Sequence, residues 1–386
     1  MKRPDLPRLL ITLGDVAGIG PEIVLRAWPR LVEICLPTVV GDVASLRRHA
    51  ELLRIPRGVE SVDEPVHDWR HPDTIACLQA TEVDLGQVRL GQVDAACGRA
   101  AYDFVCRAVQ EILRGQADAL VTAPLHKEAL AQADLKYPGH TEMLAELSGV
   151  TRYAMMLFAY RSGDKANGNT ISSPEPPFSQ SGQVSGWGVA HVTLHLRLRD
   201  VFLHLTQEAV LEKIELLGAI LRHLLRREPR LAVCGLNPHA SDGGLFGDEE
   251  ACIIKPAIEQ AQARGWQVSG PWPADTLFGR AARGEMEGIV AMYHDQGHIP
   301  FKLLAGLRAV NITLGLPFVR TSVAHGTAFD IAGRGCADPT SLVEAARVAV
   351  HLVQSQRGLE RPGPVPSAAA SRTNTCSEPL PARELA

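Results

Sequence analysis

Aromatic side chains make up only 5% of the 386 residues, so the core has to be built from Leu, Val, Ile and Ala. That mixture suits parallel strands buried beneath helices. There is no block of basic residues and the formal charge is −4, so a nucleic-acid partner has no electrostatic support. An anionic substrate must instead be caught by a few placed cations. No apolar run approaches the roughly 20 residues that cross a bilayer. The stretch Leu9 to Leu13 behind Met1-Lys2-Arg3 is too short for a signal segment and runs straight into Gly14-Asp15. No two of the eight cysteines stand at C-x-x-C spacing, and in a chain of this length they read as reduced, mostly buried thiols. The expectation is a cytoplasmic protein with neither a membrane nor a nucleic-acid partner. No internal repeat is found.

Short β-rich runs alternate with longer helical patterns. Strands are expected at Arg8–Thr12, Thr38–Gly41, Ala119–Thr122, Ala154–Phe158, Val189–His195, Leu231–Gly235, Gly288–Tyr293 and Ala309–Thr313, each closed by Gly, Pro, Asp or His. Between them, Arg99–Arg114 places Tyr102, Val105, Ala108 and Ile112 on one face, with Gly115 as the stop. Gln207–Arg227 does the same with Val210, Ile214, Leu217, Leu221 and Leu224. The alternation makes this an α/β fold with mainly parallel strands, and the length suits two domains. Residues 161–187, rich in Ser, Gly, Asn and Pro, read as a long surface loop, and the proline-rich tail 357–386 reads as disordered.

Three histidines stand at or just past expected strand ends: His195, His239 and His294. Taken singly each suits an ordinary polar position. Together they are a candidate set for one divalent cation with an open coordination position, and Asp275 and Asp295 are near enough in sequence to orient them. Pro138-Gly-His140-Thr141-Glu142 looks like a loop entering a helix, where free amides favour a phosphate. Lys302, Asn311 and Arg320 downstream would complete a clamp for phosphate and carboxylate, or serve as surface solvation. The turn Gly14-Asp15-Val-Ala-Gly18-Ile-Gly20-Pro21-Glu22 lacks both G-x-G-x-x-G spacing and a Walker lysine.

The run His325-Gly326-Thr-Ala-Phe-Asp330-Ile-Ala-Gly333 is more particular. It resembles the adenosine-binding loop of the isocitrate and isopropylmalate dehydrogenase fold. With it stand Thr122-Ala-Pro124…Lys127, Pro138-Gly-His-Thr-Glu142, Cys234-Gly-Leu-Asn-Pro-His239, Pro273-Ala-Asp275-Thr, Tyr293-His-Asp-Gln-Gly297 and Asn311-Ile-Thr-Leu-Gly-Leu-Pro-Phe-Val-Arg320. In this order the set resembles the 4-hydroxythreonine-4-phosphate dehydrogenases over roughly residues 9–350.

The resemblance implies two α/β/α domains flanking a cleft: 1–130 with 300–356 on the cofactor side, and 131–299 carrying 161–187 as an insertion. It implies His195, His239 and His294 as ligands of a divalent metal (Zn, Mg or Co), and a homodimer whose active site lies at the subunit interface. His140, Thr141, Lys302, Asn311 and Arg320 would contact substrate. Gly14, Asp15, His325, Gly326 and Asp330 would contact NAD or NADP. Asp275, then Lys127, are the candidates for taking the hydroxyl proton. The implied reaction is oxidation of 4-phosphooxy-L-threonine to a 3-oxo acid that decarboxylates. D-threonate or D-erythronate 4-phosphate is the alternative within the family, since many members have Pro where this chain has Leu13 and Val16. A three-histidine metallohydrolase is the alternative outside it.

Overall fold

The computed structural model describes residues 6–161 and 185–358. Twelve strands form one sheet: β1 (Arg8–Thr12), β2 (Leu36–Gly41), β3 (Gly58–Val62), β4 (Thr74–Gln79), β5 (Ala119–Thr122), β6 (Ala154–Tyr160), β7 (Gly186–His191), β8 (Leu231–Cys234), β9 (Val268–Trp272), β10 (Gly288–Ala291), β11 (Val310–Leu314) and β12 (Val319–Val323). Their order across the sheet is β3-β4-β2-β1-β5-β12-β11-β6-β7-β10-β8-β9. The first six run parallel, as do the last four. Between these blocks the steps β12–β11, β11–β6 and β6–β7 are all antiparallel. The two parallel blocks therefore point in opposite directions, joined by an antiparallel seam.

All eight expected strands are present, with four more. β3 has a single buried residue, Val59, and lies at one edge of the sheet. β9 contains Gly270-Pro271 and lies at the other edge, where a residue without an N–H is tolerated. β4 is an ordinary buried strand. β12 reads Val-Arg-Thr-Ser-Val and is polar in sequence although all five residues are buried.

Helices cover both faces. Gly20–Ile34, Gln207–Leu225 and Thr340–Gly358 lie against one another on one side. Ala95–Leu113 and His294–Ala305 lie on the other. Ala95–Leu113 starts where the Asp94 carboxylate accepts the Ala96 N–H and ends at Gly115 (φ 78°), the stop read from the sequence. Gln207–Leu225 is capped by Thr206, and Val210, Ile214, Leu217, Leu221 and Leu224 on its inner stripe are fully buried.

Two expected boundaries shift. β7 begins at Gly186 and stops at His191, so Gly186 and Trp187 belong to a strand rather than to the loop, and His195 lies four residues beyond the strand end. The last helix runs to Gly358, past the expected start of the tail. Residues 162–184 and 359–386, where most of the insertion and tail were expected, lie outside the described residues. Arg161 N–H donates to the Ser185 carbonyl at 2.9 Å, so β6 and β7 form a hairpin across the insertion. Replacing 163–184 by a short turn is expected to leave a folded, active protein, because each doubling of loop length changes closure cost by only ~0.6 kcal/mol. Extending the deletion through Trp187 should cost about 3–5 kcal/mol. That ring is 4% exposed and sits 4.7 Å from the Phe301 ring centroid. Thermal unfolding of the two deletion variants checks the contrast.

Candidate active site

A cavity of about 230 Å³ opens on the sheet face at the antiparallel seam. Register explains its floor. Thr122, Ser322, Asn311 and Leu157 lie in one row across β5, β12, β11 and β6; Arg320, Thr313 and Met155 lie two residues along, on the same face. The alternate residue Thr321 turns the other way and donates its hydroxyl to the Ala345 carbonyl of the Thr340–Gly358 helix. Walls come from Lys127, the Gly139–Glu142 segment that opens a helix, and His298 and Lys302 of the helix His294–Ala305.

Arg320 is 1% exposed, and among the described residues no carboxylate bonds its guanidinium. Nη1 donates to the Thr313 hydroxyl at 2.8 Å and Nη2 to the Thr122 hydroxyl at 2.6 Å, while Nε is buried without a partner. Burial pulls its pKa down to about 9, which leaves it a cation at neutral pH. His140 beside it is driven well below the ordinary histidine range, by burial first and the Arg320 charge second, so it is neutral. His140 Nε2 and Asn311 Oδ1 are likewise buried and unpartnered. Glu142, in the same cavity, acts on this guanidinium only through space, and a buried cation that keeps an unpartnered Nε donor is costly by itself and suited to an anion.

At the opposite wall the ends of β7, β10 and β8 are tied together. Val192 and Thr193 N–H groups donate to the Ala291 and Met292 carbonyls, Gln296 Oε1 accepts the Met292 N–H, and Gln296 Nε2 donates to the Gly235 carbonyl. This clamp sets where the three sequence-flagged histidines emerge. The rings of His195 and His294 stand 6.1 Å apart. Asp295 Oδ1 lies 2.7 Å from His294 Nδ1, and Glu142 Oε1 lies 3.8 Å from His195 Nδ1. Each imidazole thus has a carboxylate on its Nδ1 side and an open Nε2, the arrangement seen around metal-binding histidines.

His239 stands apart. It is exposed, at the start of a left-handed turn in which His239, Ala240, Ser241, Asp242 and Gly243 all have positive φ. Among the described residues of a single chain, no three His, Cys, Asp or Glu side chains converge as a metal site. The donor chemistry of His195 and His294 fits a divalent cation, and one chain supplies two of the three expected imidazoles.

Residues 33–349 match the family described as pyridoxal phosphate biosynthetic protein PdxA. The chain belongs to the PdxA family. A 4-hydroxythreonine-4-phosphate dehydrogenase of Geobacter metallireducens is 40% identical over 350 residues, covering 90% of this chain and 96% of the relative. A D-threonate 4-phosphate dehydrogenase of Cupriavidus necator is 42% identical over 351 residues, covering 90% and 97%. The crystal structure of 4-hydroxythreonine-4-phosphate dehydrogenase from Klebsiella pneumoniae superposes with a TM-score of 0.75 at 39% identity, covering 90% of this chain and 100% of that one. These PdxA relatives are dehydrogenases, and this chain shares their α/β fold.

Against that family background the expected site residues divide. His140, Thr141, Lys302, Asn311, Arg320, Lys127, His195, His325 and Gly326 line the cavity. Asp275 is exposed at the start of the helix Ala274–Ala282 and does not line it, and Asp330 is exposed beyond the rim. Gly14 and Asp15 are buried and outside it. Gly14 (φ 66°) has no room for a side chain, since a Cβ would lie 2.2 Å from the Pro124 carbonyl oxygen. Asp15 Oδ1 accepts the Ala17 N–H, and the turn continues to Ile19, whose N–H donates to the Thr327 carbonyl. Their position makes this pair the support beneath the His325–Gly333 loop.

Burial lifts the Asp15 carboxyl from 3.8 to about 6, so the folded state binds its proton more tightly than the unfolded chain. This contribution to stability is fully present below about pH 3.8 and declines as pH rises through about 6. Asp15→Asn should abolish that decline. Melting temperatures of variant and wild type compared from pH 4 to 8 check it, and parallel curves would contradict it.

Three contributors were not flagged in the sequence. His191 and His298 pack against His294 from β7 and from its own helix; the i, i+4 spacing of His294 and His298 was the available signal. Glu250, 4% exposed, accepts the Leu236 and Asn237 N–H groups and so fixes the approach to His239. Nothing in local sequence marks it.

Proposed function

We propose that this chain oxidises the C3 hydroxyl of 4-phosphooxy-L-threonine, with NAD or NADP as acceptor, to a 3-oxo acid that loses carbon dioxide to give 3-amino-2-oxopropyl phosphate. The observation that carries this reading is Arg320, a buried cation with no anion bonded to it among the described residues, in a cavity also lined by His140, Thr141, Lys302 and Asn311. Arg320, Asn311 and the His140-Thr141 helix start grip the substrate's phosphate or carboxylate, with Lys302 as a further cation on the wall. Binding energy spent there aligns the reacting carbon. Lys127, in the same cavity, is the candidate for taking the hydroxyl proton, which it would do as the neutral amine. Asp275 lies outside the cavity of one chain. His325 and Gly326 at the rim face the nicotinamide cofactor, which accepts the hydride.

His195, His294 and His239 would hold a divalent cation, which supplies Lewis acidity at the hydroxyl oxygen. In this reading His239 joins the others across a homodimer interface. Supporting that, the helix that lends His298 and Lys302 to the cavity also exposes Ile299, Leu303 and Leu304, and Phe202, Leu203, Leu245 and Phe246 are exposed nearby in sequence to His195 and His239. Such apolar surface suits a second copy of the chain. Leu303→Glu is expected to shift the protein from dimer to monomer in sedimentation, with loss of activity. No helix among the described residues is long and apolar enough to cross a membrane.

The Cupriavidus relative supports a second reading, D-threonate 4-phosphate as substrate. Following NADH absorbance with 4-phosphooxy-L-threonine, D-threonate 4-phosphate and D-erythronate 4-phosphate under one metal separates the two. Turnover of none of them would sink both.

A further inference from the structure

His298 sits one helical turn beyond His294, and the two rings stack with centroids 3.7 Å apart and planes 11° from parallel. Behind it, His298 Nδ1 lies 3.0 Å from His191 Nε2, a distance at which one nitrogen donates and the other accepts. His191 is 1% exposed at the end of β7. It reaches the helix because residue 297 is glycine: a Cβ there would lie 2.4 Å from His191 Nε2. The His294 side chain, by contrast, is 38% exposed on the first residue of its helix. Asp295 holds one edge of that ring, but an edge contact leaves the tilt of the plane free.

From this geometry we propose that His298, braced by His191, is a positioning residue that fixes the plane of the His294 imidazole and so aims its open nitrogen at the cation shared with His195. The proposal rests on the metal reading given above. Two features favour positioning over simple packing. The stacked face of His298 lies on His294, whose ring is otherwise held at a single edge by Asp295. The His191–His298 contact joins the strand β7, from which the chain continues to His195, to the helix that starts at His294, so the two donors are braced against each other.

The test compares apo wild type with His298→Ala, His298→Leu, His298→Phe and His294→Ala. Each is titrated with Co²⁺, reading the visible absorption and competition with a chelating dye, and each has its melting temperature measured. Alanine and leucine should weaken Co²⁺ binding roughly 10–100-fold and alter the spectrum, the range expected when a ligand's support is removed. Phenylalanine keeps a flat ring on His294 and should recover most of that loss. If His298→Ala does not fold, the leucine variant, which fills the volume without a ring, carries the comparison. Wild-type Co²⁺ affinity and spectrum in a folded alanine or leucine variant, with His294→Ala still deficient, would overturn the proposal alone. Loss of Co²⁺ in His298→Ala as complete as in His294→Ala would overturn it in favour of His298 as a ligand. Unchanged binding in His294→Ala would overturn both the proposal and the metal reading.

Discussion

Arg320→Lys is expected to lower kcat/KM about tenfold to a hundredfold, with cation binding and cofactor affinity unchanged. Arg320 spends two nitrogens on the Thr313 and Thr122 hydroxyls and keeps Nε free and buried. A lysine cannot satisfy both hydroxyls and still present a donor to substrate. Losing a hydrogen bond to a charged group is worth roughly 1.5–3 kcal/mol, which is about one to two decades of rate. A second effect follows from burial. The burial that brings the guanidinium down to about 9 would also pull a lysine below its ordinary range, and from a lower start. The deficit should therefore widen as pH rises from 6 to 9, because the variant sheds the charge that holds the anion. A variant with near-normal kcat/KM across that range, or one that merely melts earlier, would show that Arg320 only braces the seam of the sheet.

His294→Ala should have the larger effect on turnover. It removes one of two imidazoles that one chain brings within 6.1 Å of each other, at a site where the carboxylate partner Asp295 is already in place. The variant should lose stoichiometric metal and essentially all activity. Its melting temperature should stay near wild type, because the side chain is 38% exposed and closes no cavity in the core. Asp295→Asn should fall between, weakening the metal roughly 10–100-fold. Full metal content in His294→Ala, measured on dialysed protein, would remove the metal assignment. Loss of fold would instead show that the stack on His298 is structural.

How far the sequence carries is clearest at β12. Its neighbours read as strands because β5 is apolar up to Thr122, and because Val310, Ile312 and Leu314 keep one face of β11 apolar while Asn311 and Thr313 take the other. β12 did not, because Arg320 and Ser322 face the cavity and break the apolar run. Function had overwritten the signal of burial. β3 and β9 were missed for another reason: edge strands need few apolar residues, and β9 carries a proline. The helix start at His140 was legible because a loop entering a helix is a local feature, whereas Asn311, Arg320 and Lys302 lie inside their elements and meet it only through the sheet. The relation between His239 and the other two histidines was not legible, since six consecutive residues of positive φ have no local signature when only the last two are glycine. Nor was the depth of Asp15, which reads as a ligand in a glycine turn and lies fully buried with Oδ1 on the Ala17 N–H.

The place of β12 also has a consequence for how the molecule is made. It lies between β5 and β11, although β5 ends at residue 122 and β12 begins at 319. A growing chain that has just left the ribosome with its first five strands still has an open edge at β5, and waits for almost 200 further residues before that edge is closed. The same late segment brings Asn311 and Arg320 to Thr122 and His140. Truncated or stalled products should thus expose a sticky strand edge and lack an anion pocket altogether, so that incomplete synthesis yields protein prone to aggregate but unable to bind substrate.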